Sequence, residues 1–460
     1  MAPSSEDPLL TSEEDLLYPF RKGAKGDPHI QLLGTESEKF GVLSGSLKPV
    51  SYDGTRCGIV NIFDRLLATG RWTAYRERAG GPIMALDKSD HSGVVVSLEP
   101  GAQLELSGAP VRDVHEVEAE LSRHLDDIAP ISKECGMKWL AVGYHPLATP
   151  EQLPWVPKER YSVMKAYFPE VGTRGLDMMR RTCTVQVNVD YHSEEDAMRK
   201  MRVGLKLSVI ATAIFANSPF TEGKPNGMRS ERAHVWLDTD RYRTGLIPSL
   251  QGTKTSFSDY IEWALDMPIY LLKRQGKIIR ATDQTFRQFM ADGRDGHRAT
   301  RGDWVHHLNT LFPEVRLQKT IELRSCDGLP ARYLPALPAF WCGLLYDETS
   351  LQAADELMAP FSADQLEALR PEVARLALQA PLGSGRVQDV AKQAIQLALD
   401  GLGRRARHDG EGRDEGRHLL PIAELVERGL SPACALLADL PDDADALRSA
   451  IVERCAVEKR

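Results

Sequence analysis

The sequence predicts a mixed α/β fold of the α+β kind, and three stretches predict it. "VVVSLEPGAQLELSG" (Val94–Gly108) is strand-like, with Glu99, Gln103 and Glu105 at odd positions that a pleat turns to one face. "RTCTVQVNVDYHSEEDAMRKMRVGLKLSVIATAIFANSP" changes period from two to three or four, a strand followed by a helix. From about residue 349 the apolar spacing is helical ("SLQAADELMAPFSADQLEALR", "VQDVAKQAIQLALDGLGRRAR"), which predicts a helical C-terminal region.

Taken in order, residues 1–12 read as a disordered lead. "HIQLLGTESEKFGVL" alternates as a strand around Glu36 and Glu38. "DVHEVEAELSRHLDDIAPISKECG" places Val114, Val117, Leu121, Leu125 and Ile128 three or four apart, an amphipathic helix ending near Gly136. "KWLAVGYHP" reads as a strand and "TPEQLPWVPKERY" as a proline-punctuated loop. In the strand–helix unit Val185, Val187 and Val189 face one way, and Gln186, Asn188 and Asp190 the other. Ser193 opens the helix with Asp196 three residues on, a short-armed capping box, and the helix runs to about Asn217, before Pro219. "TIELRSCDG" is a further strand, with Glu322 and Arg324 opposite Ile321 and Leu323. "RHDGEGRDEGRH" is a charged glycine-rich loop before the last helices, and no internal repeat is present.

The chain of 460 residues is 42% hydrophobic and 27% charged, with 65 acids against 57 bases and a formal net charge of -8. That balance argues against a nucleic-acid binder, whose domain shows a basic excess. The longest apolar run, "LKLSVIATAIFA", is too short to span a bilayer, so no membrane partner is expected. The acidic N-terminus lacks a secretory or transit pattern, so a cytoplasmic protein is expected. Seven scattered cysteines without a C-x-x-C pair predict reduced structural thiols.

The polar strand faces carry the chemistry. Glu36/Glu38, Glu99/Gln103/Glu105, Gln186/Asn188 and Glu322/Arg324 each lie on one side of a strand, with alternate residues roughly 6.6 Å apart. Oxygen donors without clustered histidine or cysteine suit Mg²⁺ or Mn²⁺, and carboxylate-held Mg²⁺ commonly serves a nucleoside triphosphate. A solvent-facing row explains any one strand alone. Together the four favour a metal-lined face, since solvent rows mix in threonine, lysine and serine. No P-loop, kinase motif, dinucleotide fingerprint or G-x-S-x-G elbow accompanies them.

"GTESEKFG", "SLEPGAQLELSG", "DMMRRTCTVQVNVD", "ANSPFTEGKPNG", "RAHVWLDTDRYRTG", "TFRQFM", "FPEVRL", "IELRSCDG" and "LPAFWCGLLYD" follow one another along the chain. In this order they resemble the plant-type glutamate–cysteine ligases, from about residue 12 to 405. The resemblance implies a curved, mostly antiparallel sheet surrounded by helices, a glutamine-synthetase-like fold. It implies a catalytic domain over 13–405; residues 406–460, largely outside the resemblance, are expected to form a helical extension packed on it. It also implies ATP-dependent joining of glutamate to cysteine through γ-glutamyl phosphate, the first step of glutathione synthesis.

On this reading Glu36, Glu38, Glu99, Glu105 and Glu322, with Gln186 or Asn188, hold two or three Mg²⁺, with Mn²⁺ as the alternative. Arg324 and Glu105 act in catalysis. Arg232 clamps the glutamate α-carboxylate, and Arg160, Tyr270, Met179, Thr182 and Trp236 line the substrate pocket. His234 is expected to be structural, and Arg243 to pair with Asp238 or Asp240. Ala281 and Pro335 stand where plant members carry cysteines, so the plant thiol switch is not expected. Partners are the small-molecule substrates, and the protein is a monomer or homodimer. The alternatives are a ligase for another amine or a non-catalytic binder of glutamate or nucleotide.

Overall fold

An eleven-residue strand, Leu33–Leu43 (β1), organises the computed structural model, which describes residues 7–54, 57–274 and 277–457. Its odd positions Leu33, Thr35, Ser37 and Lys39 are buried behind the sheet, while Glu36 and Glu38 face forward and stay half-buried. Eight further strands build the main sheet. They are Trp72–Tyr75 (β2), Ala85–Lys88 (β3), Val95–Leu98 (β4), Leu104–Ser107 (β5), Met137–Leu140 (β6), Thr184–Val189 (β7), Val315–Leu317 (β8) and Ile321–Asp327 (β9). Among the described residues the order is β8-β9-β7-β1-β5-β4-β3-β2, with β6 on the C-terminal half of β1. Every pairing in it is antiparallel, the sheet arrangement that the resemblance implied.

Val94–Gly108 is a hairpin rather than one strand. β4 and β5 pair antiparallel across a turn at Pro100–Ala102, where Ala102 takes a left-handed φ of 65°. Glu99 N–H donates to Gln103 O at 3.0 Å and Ala102 N–H to Glu99 O at 2.9 Å. "KWLAVGYHP" is extended only over β6; beyond it Gly143 N–H donates to Asn217 O at 3.1 Å and His145 N–H to Arg181 O at 2.7 Å.

The helices follow their sequence signals. Val114–Glu134 starts at Asp113, whose carboxylate accepts Glu116 N–H at 2.9 Å, and it stops before Gly136, at φ 58°. Glu194–Ile214 starts at Ser193, whose hydroxyl accepts Asp196 N–H at 3.1 Å. Asp196 turns its own carboxylate to His192 N–H and Lys200 instead of closing the box. This helix ends three residues before the expected Asn217. It packs behind β8 and β9, where a Cβ on Gly204 would meet Leu323 Cδ2 at 3.1 Å and Val315 Cγ2 at 3.3 Å.

The N-terminus departs from expectation. Residues 1–6 of the expected disordered lead lie outside the described residues. Residues 7–12 run beside 299–301, with Leu10 N–H donating to Ala299 O and Arg301 N–H to Pro8 O, both at 2.9 Å. At the other end the helices Pro432–Leu437 and Ala444–Cys455 close a second apolar cluster with Phe40, Val42, Leu140 and Val142. Val457 N–H then donates to Trp139 O at 2.7 Å, adding backbone pairing to the free edge of β6. Cys57 and Cys135 form a disulfide, which corrects the expectation that all seven thiols are reduced. The cysteines lie 78 positions apart in sequence, so spacing could not show that the fold brings them together. Among the described residues no helix is long and apolar enough to cross a membrane.

Candidate functional site

The forward face of the sheet opens into a cavity of about 1180 Å³, larger than a single small-molecule site requires. Strand register brings the polar rows together there. Glu38 stands opposite Glu105, Glu36 opposite Gln186, and Glu322 opposite Asn188. Directly opposed residues have Cβ atoms roughly 5 Å apart, so carboxylates from neighbouring strands converge. Ser97 and Ser107 donate their hydroxyls to the two oxygens of Glu105. Glu99 reaches the same end of the cavity from the β4–β5 turn.

Nearby cations offset these carboxylates only in part. Burial, with Glu322 and Glu105 nearby, pushes Glu36 up to about 8. Burial, with Glu99 and Glu105, also raises Glu38 well above the carboxylate range, against the pull of Arg232 and a 3.0 Å bond from Thr184 N–H. Glu99 is pushed to about 7 by burial and Glu105, offset in part by Lys158 and Arg160. Buried like charges that resist ionisation fit a hard divalent cation, which would supply the missing charge. Among the described residues no three His, Cys, Asp or Glu side chains form a ready-made cage.

Asn188 and Glu322, named as ligands from the sequence, do not line the cavity. Asn188 donates to Glu36 Oε1 at 3.3 Å and accepts the Thr320 hydroxyl at 3.0 Å, so it props Glu36. Glu322 receives Arg316 on one oxygen, at 2.7 Å from Nε and 2.6 Å from Nη2, and Arg324 on the other. Burial works to raise its pKa, but Arg316 and Arg324 hold it below the ordinary value. It is the counter-ion that orients two arginines. Arg324 also donates to Gln186 Oε1 at 2.6 Å.

The other residues named from the sequence do line the cavity: Glu36, Glu38, Glu99, Glu105 and Gln186, with Arg160, Met179, Thr182, Arg232, Trp236, Tyr270 and Arg324. Arg232 donates to Ser325 O at 3.1 Å and Arg324 O at 2.8 Å, keeping three of its five N–H donors. Tyr270 is 2% exposed, its hydroxyl has no partner, and the Arg243 guanidinium lies 3.8 Å from its ring centroid. The Trp236 indole N–H is likewise unpartnered. The Thr182 hydroxyl bonds Met178 O at 2.7 Å, and Gln103 holds the carbonyls of Met179 and Thr182 at 3.2 and 3.0 Å. Arg160 lies over the Tyr161 ring, 5.1 Å from its centroid.

His234 stands outside the cavity beside Glu231, as expected of a structural histidine. Arg243 takes Asp240 at 2.7 Å, the second of its two expected partners. Sequence reasoning missed the basic wall across from the glutamates, which contains Lys273, Lys277, Arg301, Arg316 and Lys319. Arg316 was within reach, because it alternates with buried Val315 and Leu317 as Glu322 does with Ile321 and Leu323. The lysines gave no signal, since a hairpin's cations look the same in solvent.

An antiparallel sheet whose forward face lines a large cavity with glutamates, arginines and lysines defines a class, an enzyme that acts on charged small molecules. The comparisons with known proteins narrow it. The model of glutamate–cysteine ligase family 2 matches residues 32–453, and the chain belongs to that family. It is an enzyme family that forms γ-glutamylcysteine with ATP, the first step of glutathione synthesis.

The chain is 43% identical over 443 residues to the chloroplastic glutamate–cysteine ligase of Arabidopsis thaliana, covering 95% of this chain and 82% of that one. It is 43% identical over 446 residues to the chloroplastic enzyme of Medicago truncatula, covering 95% and 84%. The fold is similar to a crystal structure of the Francisella tularensis glutamate–cysteine ligase in complex with AMP. That likeness has a TM-score of 0.54 at 12% identity and covers 92% of this chain and 87% of that one. The family match runs to residue 453, past the limit of 405 read from the motifs, so the last helices fall within it. The expectation of a cytoplasmic protein is corrected by the curated relatives, which are chloroplastic. Composition and an acidic N-terminus do not separate compartments that share the same interior chemistry.

Proposed function

We propose that the acidic cavity is the ligation site and that the residues brought together there divide the work. A γ-carboxylate oxygen of glutamate attacks the γ-phosphorus of ATP, and the bond to the departing ADP breaks. The cysteine amine then attacks the γ-carbonyl carbon, forming the C–N bond as the C–O bond to phosphate breaks. Neither step needs a side-chain nucleophile, so the protein positions reactants and stabilises charge.

Arg232, with three N–H donors left, holds the glutamate α-carboxylate in the planar, two-point manner that lysine cannot. The Tyr270 hydroxyl and Trp236 indole donate to substrate acceptors. Arg324, oriented by Glu322 and Gln186, meets the charge that develops on the transferring phosphoryl oxygens. Arg316, Lys273 and Lys319 receive the rest of the polyphosphate. Glu36, Glu38, Glu99 and Glu105, with Gln186, would hold two or three Mg²⁺, with Mn²⁺ as the alternative. When bound, the cation neutralises phosphate oxygens and restores full ionisation of the glutamates. The proton from the attacking amine leaves with phosphate, since no cavity residue stands out as a base.

The observation that carries this reading is the pairing of Glu38 with Glu105 and of Glu36 with Gln186 across three strands, facing Arg232 and Arg324. The test is ATP-dependent product formation from glutamate with a panel of amines, read by mass spectrometry, for the native chain and Glu105→Gln. We expect γ-glutamylcysteine, with kcat/KM in the variant about 100-fold lower or worse. A preference for another amine would keep the site and change the acceptor. Native rates in the variant would remove Glu105 from the mechanism.

A further inference from the structure

A buried carboxylate outside the cavity remains unused by the chemistry above. Asp327, the last residue of β9, is 1% exposed and, among the described residues, makes no ion pair, although Arg232 lies near enough to offset part of the rise that burial causes. It accepts three hydrogen bonds at 2.7 Å, from Asn217 N–H and the Ser218 hydroxyl on one oxygen and from the Ser230 hydroxyl on the other. Both hydroxyls then accept backbone N–H groups from one short helix, Glu231–Trp236. Ser230 caps it by accepting Ala233 N–H at 3.0 Å, and Ser218 accepts Arg232 N–H at 3.2 Å.

The other end of Arg232 is held by the same strand. The register of β9 against β7 shifts between Leu323 and Cys326, and the carbonyls of Arg324 and Ser325 in that irregularity accept the guanidinium. Such irregularities release backbone groups from the ladder and re-aim side chains. β9 therefore grips Arg232 twice, its backbone through Asp327 and the serines, and its guanidinium through carbonyls. The packing leaves Asp327 no freedom, since a Cβ on Gly143 would stand 2.3 Å from its Cγ.

We propose that Asp327 is a positioning residue for Arg232, setting through Ser218 and Ser230 where that guanidinium stands in the cavity. This rests on Arg232 being the group that binds the glutamate α-carboxylate. Hydroxyls polarised by a buried carboxylate are stronger and more directional acceptors than free ones, because hydrogen bonds in a chain strengthen one another. Losing one link lets the helix start drift, and glutamate binding weakens while ATP binding does not.

The test is steady-state kinetics with glutamate, cysteine and ATP each varied, for the native chain, Asp327→Asn, Ser218→Ala, Arg232→Lys and the double variant Ser218→Ala/Arg232→Lys. Expected is a rise of at least tenfold in KM for glutamate in Asp327→Asn and Ser218→Ala. KM for ATP should stay within twofold and kcat at saturating glutamate within about threefold. Expected too is that the double variant is no worse than Arg232→Lys alone, because both changes act through one contact. A merely structural role would lower the folded fraction and kcat while leaving KM unchanged, which overturns the proposal. So does a double variant whose effects multiply. If Asp327→Asn does not fold, Ser218→Ala decides. A native KM in Arg232→Lys would defeat the reading of Arg232 itself; a raised KM there with a native one in Ser218→Ala would defeat only the role of Asp327.

Discussion

On the proposed reading the Tyr270 hydroxyl serves binding at no gain to the fold. Its ring is packed against Tyr167 and Phe168 and stacked by Arg243, yet its buried hydroxyl has no partner. A buried, unsatisfied hydroxyl costs stability rather than supplying it. Tyr270→Phe should leave the unfolding free energy unchanged or raise it by up to about 1 kcal/mol, while KM for one substrate rises about five- to tenfold. Urea unfolding and initial rates on one preparation check both halves, and a destabilised variant with native KM would contradict the assignment. The glutamates were legible in the sequence because a carboxylate on a valine-rich strand is costly unless something binds it. Glu322 and Asn188 carried the same signal, and the structure brings them to arginines and to Glu36 instead. One-dimensional spacing shows which face a side chain takes, not which partner reaches it first.

Elements with local causes were legible, and those with distant causes were not. Asp113 and Ser193 open their helices as caps, and alternation marked β1, β7 and β9. The β4–β5 hairpin was hidden because an alternation that continues through a turn keeps the same odd positions in step. The Cys57–Cys135 disulfide was hidden because it depends on two helices meeting. Gly204 marks such a meeting from inside a helix, where glycine is otherwise unfavourable by about 1 kcal/mol relative to alanine. Its lack of a side chain lets the Glu194–Ile214 helix reach Leu323 and Val315. Gly204→Val should therefore cost about 1–3 kcal/mol through overpacking, measured as a lower urea midpoint at unchanged m-value. A variant as stable as the native chain would show that the helix can move away from β9 freely.

The molecule as a whole holds four histidines, His124, His145, His306 and His307, below their ordinary value by burial, and His145 and His307 show how. His145, 0% exposed, accepts Leu147 and Ala148 N–H on Nδ1 at 3.3 and 3.0 Å, and burial beside Arg181 holds it down at about 3. His307, 2% exposed, places Nε2 2.9 Å from Ala264 O, and burial holds it at about 3 as well. Unfolded histidines titrate near 6.5, so the unfolded chain takes up protons at all four that the native chain resists as pH falls below that value. The stability these residues contribute is complete above about pH 6.5 and drains away on acidification toward pH 3. From pH 7 to pH 5 the loss is about 2 kcal/mol for each of His145 and His307, and His124 and His306 act in the same sense. Lowered carboxylates such as Asp15 and Asp409 act only below this window. Glu36 and Glu99 act within it in the opposite sense, since their raised values let the folded chain take up protons first. With saturating Mg²⁺ these glutamates are expected to stay ionised, which leaves the four histidines opposed by buried Glu120, Asp190 and Asp327, whose values burial raises. Urea titrations in Mg²⁺ should give a lower unfolding free energy at pH 5 than at pH 7, and omitting Mg²⁺ should shrink that difference. Equal unfolding free energies at both pH values in Mg²⁺ would mean that the folded chain accepts these protons, and the packing around His145 and His307 would have to be looser than described.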